Sequence, residues 1–168
     1  FGIIQSRKIN LYDLGFRESN TSDQNSAIFN LALSKMDSVY KDIIIPEGKF
    51  KVDSIIYRNR ANISGQGQNT VLESTKAEPI FKLSVTDGKN RIEYNNLLLL
   101  GTTAYANQGG CIKDLILSGN SIGTKGFEFN AIAYFRFQRV YMTAFTDVCF
   151  EGNGMLLCNF EDVQFTKS

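Results

Sequence analysis

The chain has 168 residues and a mass of 18.8 kDa, which is the size of one ordinary domain. Hydrophobic residues make up 43% and charged residues 21% of it, and this composition excludes wholesale disorder. Because 18 Lys and Arg residues balance 17 Asp and Glu residues, net charge favours neither a nucleic-acid partner nor a polybasic membrane tether. The longest aliphatic run, at 97–100, is far short of the roughly 18 apolar residues of a membrane span, so we expect none.

The sequence contains no histidine, which excludes Ser-His-Asp and Cys-His nucleophilic sites and His-ligated zinc within this chain. Chemistry here would have to use carboxylates, Tyr, Lys or Arg. The three cysteines, Cys111, Cys149 and Cys158, have no metal-like spacing, and we expect them to be buried as small hydrophobic side chains. The acidic pair Glu161-Asp162 is too sparse for a calcium site, so we predict no metal and no cofactor.

One segment near the start has the apolar periodicity of a helix. Its apolar residues recur at spacings of three and four and predict a helix over residues 23–38, with an N-cap supplied by the Thr21-Ser22-Asp23 run. We expect this helix to bury Ile28 and Leu31. The residues of the predicted apolar stripe are Ala27, Ile28, Leu31, Ala32, Met36 and Val39.

The rest of the chain has the composition of short strands separated by turns. Val, Ile, Thr, Phe and Tyr are abundant after residue 40, and only two prolines occur. Pro46-Glu47-Gly48 predicts a tight turn between two strands, and Gly65-Gln66-Gly67 predicts a corner between two more. Further turn signals lie at Asp87-Gly88, Gly109-Gly110, Gly119-Asn120 and Gly152-Asn153-Gly154.

The second half of the chain repeats. Residues 112–117 align with 137–142 at an offset of 25 residues, and with 160–165 after a further 23. Two alternating segments, 127–129 and 148–150, recur at an offset of 21. Strands that repeat in step predict a solenoid, in which each turn buries its apolar side against the next. The chain lacks the Leu-x-x-Leu-x-Leu pattern of leucine-rich repeats, whereas a β-sandwich with frequent turns stays open as the alternative.

Four motifs follow one another in the front of the chain. In this order they resemble the entry segment of the pectate-lyase-like right-handed β-helix superfamily, and they cover about residues 8–73. The later part resembles it by its repeat alone. Phe16 and Gln24 depart from the superfamily's pattern, because they replace a small residue and an acidic residue. The motifs are Asn10-Leu11-Tyr12-Asp13-Leu14-Gly15-Phe16, Thr21-Ser22-Asp23-Gln24-Asn25-Ser26-Ala27-Ile28, Ile45-Pro46-Glu47-Gly48-Lys49-Phe50 and Ile63-Ser64-Gly65-Gln66-Gly67.

The resemblance implies an all-β fold, namely a right-handed parallel β-helix with an N-terminal capping α-helix. Residues 1–22 would form an entry segment, and residues 23–168 the cap followed by β-helix turns, in one domain that we expect to be a fragment of a longer chain. A helix with one apolar face suits the cap, since an open solenoid end exposes core and unpaired strand edges.

Similar N-terminal segments occur in secreted polysaccharide lyases, in polygalacturonase-type hydrolases and in bacteriophage tailspikes or appendages, and the fold does not choose among them. Low cysteine pairing and an amide- and Lys-rich composition favour a tailspike- or appendage-like protein of the virion tail. Such a protein would bind a bacterial surface polysaccharide, with or without depolymerase activity, and would be a homotrimer. The alternatives are a secreted polysaccharide lyase or hydrolase and a non-catalytic structural β-helical shaft.

Outward positions of the repeated strands supply candidate site residues. We expect Tyr141 and Gln164 to contact the glycan, because they face outward next to Ile116 in the first repeat. The corner residues Asp114, Arg139 and Asp162 predict a surface ion-pair ladder.

The second repeat supplies a candidate catalytic pair. Its alternation places Val148 inward and Cys149 outward, with Glu128 outward one turn earlier and Glu151 at the next corner. Two carboxylates on neighbouring turns, Glu128 and Glu151, can act as acid and base on a glycosidic bond. The alternative is a pair of solvated surface carboxylates.

Overall fold

The computed structural model describes residues 7–36, 40–58, 60–83 and 107–166. Within these ranges the chain forms one α-helix, α1 (Ser22–Ser34), two 3₁₀ helices (Leu11–Leu14 and Gly67–Asn69) and fourteen strands. The Asp87-Gly88 turn signal, the run at 97–100, and Ser38 and Val39 at the predicted helix end lie outside the described residues. The strands are β1 (Arg7–Asn10), β2 (Tyr40–Ile44), β3 (Gly48–Lys51), β4 (Ile55–Ile56), β5 (Asn62–Ser64), β6 (Thr70–Glu73), β7 (Phe81–Leu83), β8 (Asn107–Gln108), β9 (Cys111–Ser118), β10 (Lys125–Ala133), β11 (Arg136–Thr143), β12 (Val148–Leu156), β13 (Asn159–Glu161) and β14 (Gln164–Thr166).

The strands form two sheets, and the pairings among the described residues are parallel. The larger sheet runs β1-β2-β5-β9-β11-β13, with β3, β6 and β14 attached alongside. The smaller sheet runs β12-β10-β7-β4, with β8 paired to β10. A β-sandwich has antiparallel sheets, so that alternative does not describe these residues. The chain instead curls, and it adds strands to the larger and the smaller sheet in turn.

The larger sheet bends along one line. The first part of β9 pairs with β5, and its last part pairs with β6. Between these parts Asp114 has a φ of 58°, and the equivalent residues of the next circuits, Arg139 and Asp162, have φ values of 50° and 52°. A left-handed residue at the same place in each circuit changes the strand direction without a loop.

The register of the first repeat is the predicted one. Leu115 lies opposite Val140 on β11, and Tyr141 lies opposite Gln164 on β14. Leu115 and Val140 are buried, and Val163 packs against the core from a partly buried position. The offsets of 25 and 23 residues therefore correspond to successive circuits of the chain. They differ because the connection between β9 and β10 is two residues longer than that between β11 and β12.

The second repeat has a different register from the predicted one. β10 and β12 pair Phe127 with Phe150 and Glu128 with Glu151, at an offset of 23 residues rather than 21. The rings of Phe127 and Phe150 lie 5.6 Å apart in the core. Val148 is consequently 41% exposed, and its predicted inward position is wrong. The offset equals that between β11 and β13, because the connection between β10 and β11 is as long as that between β12 and β13.

The cysteines are free and half-buried, so the expectation of full burial is wrong. Cys149, predicted to face outward, packs partly against the core and places its Sγ 3.9 Å from the carbonyl oxygen of Met142. Cys158 also packs against the core, whereas Cys111 lies 4.0 Å from the amide oxygen of Gln138 on the outer surface. Burial raises the pKa of the Cys149 thiol.

Helix α1 begins where the periodicity predicted it but ends at Ser34, so the predicted end at residue 38 is wrong, and the buried face is rotated. Phe29, Ala32 and Leu33 are buried, whereas Leu31 is 48% exposed and Ile28 only half-buried. The expected burial of Ile28 and Leu31 is therefore wrong. The helix begins after Thr21, which forms a capping box with Gln24: each side chain accepts a hydrogen bond from the other residue's backbone N–H.

Polar contacts explain the rotation of the helix. The Asn25 side chain donates to the backbone oxygens of Arg17 and Lys51, and Ser26 Oγ accepts from the backbone N–H of Asp53 at 2.8 Å. Both Asn25 and Ser26 are buried. The face that meets the sheets thus mixes apolar and hydrogen-bonded polar residues, and a search for an apolar stripe misplaces it.

Candidate functional site

A groove of about 640 Å³ follows the bend of the larger sheet. We call it the bend groove, and it collects side chains from successive circuits of the chain. Its lining includes Asp114, Ile116, Arg139, Tyr141 and Gln164.

The structure brings together both predicted glycan contacts in the bend groove. Tyr141 and Gln164 are direct partners on neighbouring parallel strands. The Tyr141 hydroxyl lies 2.8 Å from Thr166 Oγ1, and Thr166 in turn donates to Thr143 Oγ1 at 3.0 Å. Because the single Thr166 proton is used in that bond, Tyr141 is the donor to Thr166. The tyrosine is therefore anchored at its tip, and Gln164 is exposed beside it.

One predicted ion pair forms at the corner of the bend groove. Arg139 binds Asp114 through Nε and Nη2, at 2.5 Å and 3.2 Å. This bidentate contact raises the pKa of Arg139. Asp162, on the next circuit, completes no such pair among the described residues, so the predicted ladder holds for its first step only.

The candidate catalytic carboxylates, Glu128 and Glu151, also lie together. They are direct partners on β10 and β12, so Glu151 sits within a strand and its predicted corner position is wrong. Lys125 Nζ lies 2.5 Å from Glu151, 3.4 Å from Glu128 and 3.6 Å from Asp147. The hydrogen bond to Glu151, followed by that to Glu128, raises the pKa of Lys125.

Sequence reasoning missed Lys125. Its only signal is the three-residue spacing to Glu128, and the contact with Glu151 depends on the register of β12. In glycosidases the space between paired carboxyls holds the sugar oxygen or a water molecule. Here the lysine ammonium occupies that space, so a ligand would have to displace it before the pair could act on a glycosidic bond.

An open cavity of about 840 Å³ lies against the last described circuit. We call its mainly apolar lining the apolar end face. Phe160 and Phe165 are 46% and 52% exposed, although Phe160 stacks on Phe137 at 4.9 Å. Within the described ranges, β12, β13 and β14 have no strand partner on their far side. The apolar core therefore extends to the last described circuit and is exposed there.

The described residues contain no group of three or more His, Cys, Asp and Glu side chains that could hold a metal ion. In the same ranges, no helix is long and apolar enough to cross a membrane.

No family model and no curated protein matches the sequence. Solved structures do match its fold. The A-module of the mannuronan C-5 epimerase AlgE4 from Azotobacter vinelandii superposes with a TM-score of 0.67 at 16% identity, over 94% of this chain and 50% of that one. ORF18 of Geobacillus virus E2 superposes with a TM-score of 0.58 at 13% identity, over 95% of this chain and 40% of that one.

At these identities the likeness shows the fold alone. The two parallel curled sheets define a β-helix-like protein, in agreement with the epimerase module. The chain spans half the length of that module and two fifths of the viral chain.

Proposed function

We propose that this chain is part of a tailspike- or appendage-like phage protein that binds a bacterial cell-surface polysaccharide, with the bend groove as its glycan site. The direct pairing of Tyr141 and Gln164 inside that groove carries the proposal. Among the structural neighbours, one is an epimerase of the polysaccharide mannuronan and the other is a viral protein. Both support this pairing of fold and function.

The chemistry of the bend groove suits a sugar chain. Tyr141 offers an apolar ring surface anchored at its hydroxyl, and the Gln164 amide offers both donors and an acceptor for sugar hydroxyls. Neighbouring strands are about 4.8 Å apart, so equivalent positions repeat along the groove at short, regular intervals. An extended glycan that lies across the strands would meet one circuit after another.

Assembly and location are part of the same proposal. The curled sheets would be a right-handed β-helix, the intact protein a homotrimer, and its place the virion tail. The half-buried outward Ile116 and the apolar end face support a subunit contact. A monomeric mass in solution would favour the alternative of a secreted polysaccharide lyase or hydrolase, and a trimer without glycan binding would favour a structural shaft.

The test uses an array of purified bacterial capsular polysaccharides and O-antigens. The wild-type chain should bind at least one member, and the double variant Tyr141→Ala/Gln164→Ala should bind it about tenfold more weakly or worse. Tyr12→Ala is the control, because Tyr12 is a tyrosine with an exposed side chain that lies outside the bend groove, in the 3₁₀ helix Leu11–Leu14. Absence of binding to every member, or equal binding by the double variant, would overturn the proposal.

Polysaccharide cleavage is the second candidate function, and the direct pairing of Glu128 with Glu151 favours it. Because Lys125 lies between these carboxylates, we expect the chain to bind a glycan without strong cleavage. The measurement is the release of reducing ends or unsaturated sugars from the array member that binds. An active chain that loses this activity in Glu128→Gln/Glu151→Gln would show an enzyme, with this pair as its acid and base.

A further inference from the structure

A second groove, of about 440 Å³, crosses the part of the larger sheet that precedes the bend. We call it the polar groove. It shares no lining residue with the bend groove. Its lining includes Lys8, Asp42, Asn62, Lys113, Tyr134 and Arg136.

The polar groove is built on one outward row of side chains. Five neighbouring strands, in the order β1, β2, β5, β9 and β11, each contribute one residue to this row. At about 4.8 Å per strand the row extends for about 19 Å. The next residue on each strand faces the core, which fixes the row on the outside. The row consists of Lys8, Asp42, Asn62, Cys111 and Arg136.

Unpaired positive charge distinguishes the polar groove. No described carboxylate lies within ion-pair distance of Lys8, Lys113 or Arg136. The carboxylate of Asp42 accepts a hydrogen bond from the Asn62 side chain at 3.1 Å. In the bend groove, by contrast, the single guanidinium is already bound to a carboxylate. An anionic ligand therefore gains more in the polar groove.

The pKa of the Cys111 thiol reflects the positive charge of the polar groove. Burial of the thiol raises this pKa, and the charges of Lys113 and Arg136 oppose that shift. Lys113 lies on β9 and Arg136 on β11, one circuit further on, so the thiol lies near two cations from neighbouring strands. At the lip of the groove Tyr134 is 56% exposed and adds an aromatic surface.

We propose that the polar groove binds an extended acidic polysaccharide, at a site separate from the bend groove. The cations Lys8, Lys113 and Arg136 would meet the anionic groups of the polysaccharide. The Asn62 amide and the Tyr134 ring would contact its sugars. A nucleic acid fits less well, because Asp42 stands within the row and the chain as a whole carries a net charge of only +1. The proposal goes beyond glycan binding in the bend groove, since it adds a site and a ligand class.

The test compares two probes with the same backbone, carboxymethyl dextran and neutral dextran. The wild-type chain should bind carboxymethyl dextran, more weakly as salt is raised, and should bind neutral dextran far less. The variant Lys113→Gln/Arg136→Gln should lose about tenfold in affinity for the charged probe. The charge-matched control Lys35→Gln/Lys51→Gln, at exposed positions outside the groove, should stay within about twofold.

A charge-preserving variant, Lys113→Arg/Arg136→Lys, separates lost charge from lost structure and should retain binding to carboxymethyl dextran. Equal losses in the groove variant and its control would show nonspecific attraction and overturn the inference. So would tighter binding of a single-stranded DNA oligonucleotide than of carboxymethyl dextran. The variant Tyr141→Ala/Gln164→Ala is measured on the same probe. If only that variant loses binding, the acidic chain sits in the bend groove and this inference fails while the proposed function stands.

Discussion

Arg139 binds Asp114 across neighbouring circuits of the chain while both residues hold left-handed backbone angles. For a residue other than glycine that conformation costs about 1–2 kcal/mol. The burial of Leu115 and Val140, which directly follow the two corner residues, offsets this cost. The corner therefore bends the sheet and directs the next outward residues, Ile116 and Tyr141, into the bend groove.

The rotated face of helix α1 predicts unequal effects of two truncations. Phe29→Ala removes a fully buried ring that contacts Phe16 and Phe81, and it should lower the free energy of unfolding by about 3–5 kcal/mol. Leu31→Ala, at a half-exposed position, should lower it by less than about 1 kcal/mol. Urea denaturation measures both changes. A larger loss for Leu31→Ala than for Phe29→Ala would contradict the observed helix face.

Asp53 ties the end of one circuit to the next. Its buried carboxylate accepts hydrogen bonds from the backbone N–H groups of Thr75 and Lys76 and from the Thr75 hydroxyl. Asp53→Ala should cost about 3 kcal/mol, because three hydrogen bonds to a charged acceptor are lost. Asp53→Asn keeps one acceptor oxygen for the two backbone groups and should cost less. Chemical denaturation is the measurement, with the exposed Glu47→Gln as control; equal stability of Asp53→Ala and the wild type would rule out this role.

Leu157 offers a test of backbone strain. It is 68% exposed with a φ of 50°, whereas the preceding residue, Leu156, is 40% exposed and extended in β12. Leu157→Gly should raise the free energy of unfolding by about 0.5 kcal/mol, because relief of the left-handed strain exceeds the added entropy of the unfolded chain. Leu156→Gly should lower it by about 1 kcal/mol. Thermal unfolding of the two variants measures both changes. A similar loss of stability in both would show that the backbone at Leu157 is unstrained.

The acidic cluster around Lys125 predicts a dependence of stability on pH. The pKa of Lys125 is raised above its ordinary value of 10.5, chiefly by the hydrogen bond to Glu151. The lysine therefore stabilises the fold below about pH 10.5, and this contribution is lost as the pH rises through the higher pKa of the folded state. Lys125→Met should be less stable than the wild type at pH 7, and the difference should shrink above pH 10.5.

The measurement for Lys125 is denaturation of both proteins from pH 7 to pH 11. Lys51→Met serves as control, because the Lys51 side chain is exposed on β3. A stability difference between the wild type and Lys125→Met that stays constant over this range would show that the ammonium charge is not what stabilises the cluster.

The candidate carboxylate pair shows where sequence reasoning reaches its limit. Spacing alone put Glu128 and Glu151 on neighbouring circuits, yet in the wrong register, because alternation looks the same when a strand shifts by two residues. The packing of Phe127 against Phe150 in the core decides the register, and with it the contact of both carboxylates with Lys125. The prediction of the buried face of helix α1 was wrong for a related reason. Asn25 and Ser26 are buried although they have the polarity of surface residues.

The sequence by itself determined the repeat of residues 112–117, 137–142 and 160–165 and the outward positions of Tyr141 and Gln164, because strand alternation is a local property with a period of two. The tertiary structure decided that these strands are parallel, because a β-sandwich would show the same alternation. Only the tertiary structure decided which charges meet. Lys125 is bound by three carboxylates while Lys113 and Arg136 have none among the described residues, although all three are ordinary basic positions in the sequence. Ion pairing depends on distances of a few ångströms between strands that lie more than twenty residues apart in the chain, and packing of the core sets those distances.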